Sequence, residues 1–495
     1  MDNRNLYEIN SIKPEMHGGS DGVKKFSGFS ALKKLWEKTC LLFTYIFVQI
    51  KEITSAFRFG GFRSRLSFII MGFGNMVNGQ LVKGIIYLAS QIGFIAYFAG
   101  FGWKYLKDIT TLGTNVTGEV FNEELQIYMY THGDNSMKIL LFSVLTIFIT
   151  LVFIYLYFSS IKSSYKGYVL IRQGKRPLTF LQEFNELKDK KFHKTLLAAP
   201  IIMVTAFTIL PIVFMVLIAF TNFDKSHQPP GNLFTWVGLN NVMDLMFNDP
   251  MKSRTFFGIL GWTFVWAIFA TFSNYILGMI IALMINKKGI KFKKMWRTLF
   301  VISIAVPQFV TLMLMSQLLQ DQGAVNTFLK SVGIINQSIP FLTDANLARI
   351  TVIVINMWVG IPYTILITTG ILINIPEELY ESARIDGATP VDTFLKITMP
   401  YMIFITTPYL ITQFVGNINN FNVIYLLSRG NPLTTDYFQA GKTDLLITWL
   451  YKQTVNEQNY NLAATIGILT FIIMAVMSLL VYNTSNSARK EGEFQ

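Results

Sequence analysis

The 495-residue chain has a single cysteine, Cys40, so an intramolecular disulfide framework is not available to it. Its four histidines, His17, His132, His193 and His227, are scattered and show no metal-ligand spacing. Charge is scarce: 14% of residues are Asp, Glu, Lys or Arg, against 52% hydrophobic and a mean hydropathy of +0.42. A soluble globular protein of this length is excluded by that balance. No Ser/His/Asp or metal constellation marks an enzyme. Gly441-Lys442-Thr443 looks like the end of a phosphate-binding loop, but Asp436 and Tyr437 stand where the upstream glycine is required, so the chain has no nucleotide loop of its own. The first thirty residues are polar, and no cleavable signal peptide is expected.

What is present in quantity is uninterrupted apolar sequence. Eight charge-free runs, 84–103, 139–161, 195–223, 255–286, 298–320, 350–376, 397–428 and 458–488, are each 20 residues or longer. About 20 apolar residues span a hydrocarbon core, so the expected fold is an all-α integral membrane protein with about eight transmembrane helices. A shorter run, 66–82, contains Asn75, Asn78, Gly79 and Gln80 and is expected to be re-entrant or interfacial.

The net charge of +13 is unevenly placed. With the N terminus inside, the segments facing the cytoplasm hold 31 of the 42 Lys and Arg, which orients the chain with both termini in the cytoplasm. The basic excess is thus accounted for by topology, with no nucleic-acid partner. None of the eight runs contains a carboxylate, which argues against a proton- or sodium-driven carrier.

Four sections are expected. Residues 1–63 form a cytoplasmic tail plus an amphipathic helix over Leu32–Phe57, lying on the inner leaflet or packed on the bundle. Residues 64–192 form an accessory hairpin of two spans, 193–485 a six-helix core, and 486–495 a cytoplasmic tail.

The core is interrupted by a charged, helix-friendly loop, Pro376–Pro400. Pro376 suits a first helical position, Glu377 and Glu378 put negative charge at the positive end of the dipole, and Gly387 can take the left-handed conformation that ends a helix. Thr389, Pro390 and Asp392 then read as N-cap, first and third positions of a second helix. Glu381-Ser382-Ala383, Gly387 and Ile397-Thr398-Met399-Pro400 resemble the "EAA" signature of membrane subunits of ABC importers, spacing included. Ser382 and Met399 depart from it by small changes. The resemblance implies that Glu381, Ser382, Ala383, Arg384, Asp386 and Gly387 belong to a coupling helix seated in a groove of a cytoplasmic ATPase.

Two further resemblances narrow the family. Phe220-Thr221-Asn222-Phe223 with Trp236-Val237-Gly238-Leu239-Asn240-Asn241 is similar to a run of carbohydrate importer permeases, at an outer lip where a binding protein would dock. Asn356 to Tyr363 and Gly416 to Asn422 place amides within two spans, where an amide in hydrocarbon without a partner is costly. Amides bond sugar hydroxyls in both directions, and aromatic faces cover the apolar side of the ring. Asn356, Gly360, Tyr363, Asn417 and Asn420 match sugar-contacting positions of the maltose/maltodextrin type, whose larger permease subunit the chain resembles; Gln413 and Gly416 depart, and asparagines bonding between helices are the alternative. The resemblance implies import of an oligosaccharide across the bacterial cytoplasmic membrane. Its implied partners are a second permease subunit, two ATPase subunits that bind ATP and Mg, and an extracytoplasmic solute-binding protein. Another saccharide, such as a galacto-oligosaccharide, is the alternative cargo.

Overall fold

The computed structural model describes residues 50–122, 126–287 and 289–484, together with Thr44 and Val48. The expected amphipathic helix over Leu32–Phe57 and the tail 486–495 lie largely or wholly outside them. A compact unit begins at Ser55.

Seven helices among the described residues are long and apolar enough to cross a membrane, and an eighth crossing follows if one bent pair counts as a single span. They are α1 (Leu81–Leu106), α2 (Ser136–Arg172), α4 (Phe192–Ile218), α5 (Pro250–Asn286), the bent pair α6 (Lys293–Ala305) and α7 (Gln308–Leu318), α8 (Ala345–Ile373), the segment Pro390–Leu427, and α13 (Tyr460–Thr484). The segment Pro390–Leu427 contains α10 (Met399–Ile418) and α11 (Phe421–Leu427). Shorter helices are α3 (Phe180–Lys188), α9 (Glu377–Ile385) and α12 (Leu446–Val455). Each helix or pair matches one charge-free run. The 85° bend between α6 and α7 falls at Val306-Pro307. Proline pushes the residue before it out of the helical region, and Val306 is extended with ψ 124°.

The run 66–82 does not span. Two short helical turns, Phe62–Leu66 and Phe73–Val77, bracket a turn that leans on α2. Ser67 Oγ bonds Ser164 Oγ at 3.0 Å, the Gly72 N–H donates to Ser160 Oγ at 3.0 Å, and Asn75 Nδ2 donates to Ser163 Oγ at 2.8 Å. Serines along α2 thus satisfy backbone and amide groups that lipid could not. An unforeseen antiparallel hairpin, β1 (Gly118–Asn122) with β2 (Ile127–Thr131), joins α1 to α2.

The outer loop after α4 braces the accessory hairpin. Trp236 Nε1 donates to the Ile109 carbonyl at 2.7 Å, and Asn241 Nδ2 donates to the Ala219 and Thr221 carbonyls at 2.8 and 2.7 Å. Phe223 stacks on Tyr460 at 4.5 Å and packs against Phe234. The loop is folded as expected, and these side chains are committed to holding it.

A second outer loop is pinned by Asp444, fully buried. It accepts from the Gly441 N–H at 2.7 Å, from Thr448 Oγ1 at 2.9 Å and from Lys452 Nζ at 2.6 Å. Burial pushes its carboxyl above the usual range, and Lys452 opposes that. Gly441-Lys442-Thr443 is spent on the same loop, Thr443 Oγ1 donating to the Asn431 carbonyl.

Candidate functional site

Helices α5 and α8 pack closely because small residues line their contact. A Cβ on Gly278 would come within 2.6 Å of the Thr364 Cβ, and one on Gly360 within 2.2 Å of Asn274 Nδ2. Gly360 therefore makes room for an asparagine from the neighbouring helix. Helix α8 passes through Pro362 unbroken, and the Thr364 and Thr368 hydroxyls bond back to carbonyls of their own helix.

Helix α10 ends at Ile418, and α11 starts after Asn420. Asn420 causes the restart: its Oδ1 accepts from the Val423 N–H at 3.2 Å, an N-cap bond. Its Nδ2 donates to Asn417 Oδ1 at 3.2 Å, and Asn417 Nδ2 donates to Thr271 Oγ1 at 3.0 Å. Trp266 Nε1 holds the Asn417 carbonyl at 2.9 Å. The break is thus tied to α5 at two points.

Between α5, α8 and α10 lies a cavity of about 290 Å³. Asn356, Gly360, Tyr363, Asn417 and Asn420, the five positions singled out from the sequence, all line it. Its lining is amide, hydroxyl, aromatic and aliphatic, with no charged side chain. Two buried amide atoms here have no hydrogen-bond partner in the protein, Asn356 Nδ2 and Asn274 Oδ1. One is a donor and the other an acceptor, on adjacent helices. Leaving such groups unsatisfied costs about 1–3 kcal/mol each, and a ligand hydroxyl can both accept and donate. Asn417 and Asn420, by contrast, already spend bonds on each other and on the helix break.

On the far side of the core, α9 ends as the sequence predicts. Gly387 has φ +75°, its N–H donates to the Arg384 carbonyl at 3.1 Å, and the Ala388 N–H donates to the Ala383 carbonyl at 2.9 Å. These two bonds complete a Schellman turn. Thr389 and Asp392 form a reciprocal capping box on the next helix. Pro376 differs by one position: it is the N-cap, and the helix begins at Glu377. Of the residues expected to form the coupling helix, Ala383 is buried while Glu381, Ser382, Arg384, Asp386 and Gly387 are exposed. Ile385 is 86% exposed, and Val391 and Leu395 also stand open to solvent, an apolar edge on a charged loop.

Comparison with known proteins places this arrangement. Residues 274–489 match the family model described as "Binding-protein-dependent transport system inner membrane component". The galactooligosaccharides transport system permease protein GanP of Bacillus subtilis (strain 168) is 34% identical over 86% of this chain and 97% of its own length. The chain belongs to the binding-protein-dependent transport permeases. A second relative of this permease, the maltodextrin transport system permease protein MdxF of the same organism, is 35% identical over 86% of this chain and 95% of its own length. The crystal structure of a bacterial alginate ABC transporter in complex with a periplasmic protein bound to an alginate pentasaccharide contains a chain with the same fold. It superposes with a TM-score of 0.51 at 20% identity over 61% of the permease and 96% of that chain.

Sequence reasoning missed Asn274, Gln308 and Tyr409, which also line the permease cavity. Asn274 was within reach, since it lies inside the charge-free run 255–286 and the cost of an amide in a span applies to it as it does to Asn356. Gln308 reaches the cavity only because the chain bends at Pro307, which periodicity does not reveal.

Proposed function

We propose that this permease is a translocating subunit of an ATP-driven importer and that the cavity between α5, α8 and α10 receives a neutral oligosaccharide. The observation that carries the proposal is the pair of unpartnered buried amide atoms, Asn356 Nδ2 and Asn274 Oδ1, in an uncharged polar cavity beside Tyr363. A sugar hydroxyl supplies both missing bonds, and tyrosine faces cover the apolar side of a sugar ring. The absence of cationic side chains in the lining argues for a neutral cargo over an acidic one.

Maltodextrin is the proposed cargo, in keeping with MdxF, and a galacto-oligosaccharide is the second reading, favoured by GanP. The proposed assembly has a second permease subunit, two cytoplasmic ATPases that hold ATP and Mg, and an external binding protein that delivers sugar. This chain contributes no catalytic residue. ATP binding draws the ATPases together and carries α9 with them as a lever, the exposed Ile385, Val391 and Leu395 seated in their groove. The spans then open outward to accept sugar, and hydrolysis resets the inward state.

The test is uptake of labelled maltotriose by vesicles carrying the permease with its genomic neighbours, competed with unlabelled maltodextrins and galactosides. Competition by α-glucans alone supports maltodextrin, and competition by galactosides alone supports the second reading. Uptake of neither sugar, with a charged saccharide carried instead, would overturn the neutral-cargo proposal.

A further inference from the structure

A second and larger cavity, of about 710 Å³, lies where α7 ends, α8 begins and α11 ends. With both termini in the cytoplasm, α7 and α11 run outward, so this cavity is on the outer side of the first, along two of the same elements. Leu427 stands two turns beyond Asn420, about 10 Å along α11, and Ser316 stands just over two turns beyond Gln308, about 12 Å along α7. The Ser316 hydroxyl donates to the Leu427 carbonyl at 2.7 Å and fixes these two walls to each other. Thr343, just before α8, donates to the Asp321 carboxylate at 3.2 Å and ties in the third side.

The lining suits a neutral polyhydroxyl chain. The side-chain amides of Gln317, Gln320 and Gln322 and the guanidinium of Arg429 have no hydrogen-bond partner among the described residues, and neither Asp321 nor Arg429 belongs to an ion pair there. One carboxylate and one guanidinium leave the wall without net charge, in keeping with the uncharged inner cavity. Amides answer hydroxyls as donors and as acceptors, and Leu342 and Leu426 between them give the apolar surface of a sugar ring something to rest on. Arg429 is held at φ +53°, a conformation that residues other than glycine rarely adopt, so its position on this rim is kept against a backbone cost. Size points the same way. Cavities that enclose small-molecule ligands run to about 300–1,000 Å³, so the inner cavity, of about 290 Å³, takes only a short stretch of an oligosaccharide and the remainder must lie beyond it.

We propose that the outer cavity is a second saccharide subsite, holding the trailing units of an oligosaccharide whose leading units occupy the cavity between α5, α8 and α10, and so favouring longer chains. The inference rests on the reading of the inner cavity as a sugar site.

Binding of labelled maltose and maltohexaose to the assembled transporter, full chain included, is measured in nanodiscs without the external binding protein; the corresponding galactosides are used if those are the sugars carried. Maltohexaose is expected to bind more tightly than maltose. Gln317→Ala with Gln320→Ala is expected to weaken maltohexaose binding roughly tenfold, the loss of two hydrogen bonds, and to leave maltose binding unchanged. Arg429→Asn, which tolerates the left-handed backbone, is expected to act with the same selectivity at roughly fivefold. Asn356→Leu should weaken both sugars; if it weakens neither while the outer variants still act on maltohexaose, the inner reading fails and the outer cavity is left as the sugar site. An equal loss for both sugars in the outer variants would mark a structural role and overturn the proposal, as would unchanged maltohexaose binding. Unchanged binding of both sugars, with loss of the ATP hydrolysis that the binding protein stimulates, would overturn it in favour of a docking surface for that protein.

Discussion

Asn356→Leu separates stability from transport, which makes it a direct test of the candidate site. Asn356 is 5% exposed and its Nδ2 has no partner in the protein, so the empty permease carries the cost of a buried, unmade bond. Leucine has nearly the same shape and no polar atom, and replacing an unsatisfied polar group by an apolar one of similar shape is neutral to stabilising. The same change removes the donor proposed for a sugar hydroxyl, a loss of about 1–3 kcal/mol, or roughly 5- to 150-fold in apparent affinity. The assay is twofold: thermal unfolding of the purified permease complex without sugar, and the sugar concentration dependence of uptake in proteoliposomes. The expected outcome is an unchanged or higher Tm with a raised half-saturation concentration. A lower Tm with unchanged sugar dependence would refute the reasoning, because Asn356 would then be a structural amide.

Other substitutions test the remaining parts. Gly387→Pro removes the N–H that bonds Arg384 and forbids φ +75°, so it should uncouple ATP hydrolysis from uptake while the subunit inserts normally; full uptake at normal protein level refutes the lever. Asn420→Ser keeps an oxygen that can cap α11 but shortens the reach to Asn417, whereas Asn420→Ala also loses the cap at about 1 kcal/mol; the alanine variant should lower the Tm further than the serine variant, while both should weaken uptake. Lys452→Met strands the buried Asp444 and should cost about 3–5 kcal/mol at neutral pH, with Asp444→Asn restoring part of it. Burial already raises the Asp444 pKa, and loss of Lys452 raises it further. The carboxyl is then neutral in the folded state at acid pH, so the destabilisation should be small below the ordinary carboxylate pKa and grow as pH rises through the raised one; a pH-independent loss in thermal unfolding would contradict this.

The spans were legible because charge and hydrocarbon exclude each other so strongly that Lys83, Lys162 and Arg297 mark their edges without further information. The turn at Gly387 was legible for a local reason: Gly-Ala-Thr-Pro-x-Asp allows one helix to stop and the next to start with four residues between them. Asn356 was legible because an amide within a span asks for a partner, and Gly360 and Tyr363 joined it through the resemblance to sugar-contacting positions of the maltose type. The partnership of Gly360 with Asn274 was not, because it depends on which helix packs against α8, and that is a long-range fact. Nor was the double duty of Asn420, since a cap is recognisable only once the break in the helix is known. The Phe220–Asn241 run was correctly read as a folded lip, but its use in gripping Ile109 of the accessory hairpin lies across more than a hundred residues of chain.

The most direct test of coupling is uptake by proteoliposomes containing the permease and its partner subunits, measured with ATP inside, without ATP, and with ATP plus ionophores that collapse proton and sodium gradients. ATP-dependent uptake that is insensitive to the ionophores is the predicted result. Uptake that persists without ATP and collapses with the ion gradients would contradict it and make the chain an ion-coupled carrier.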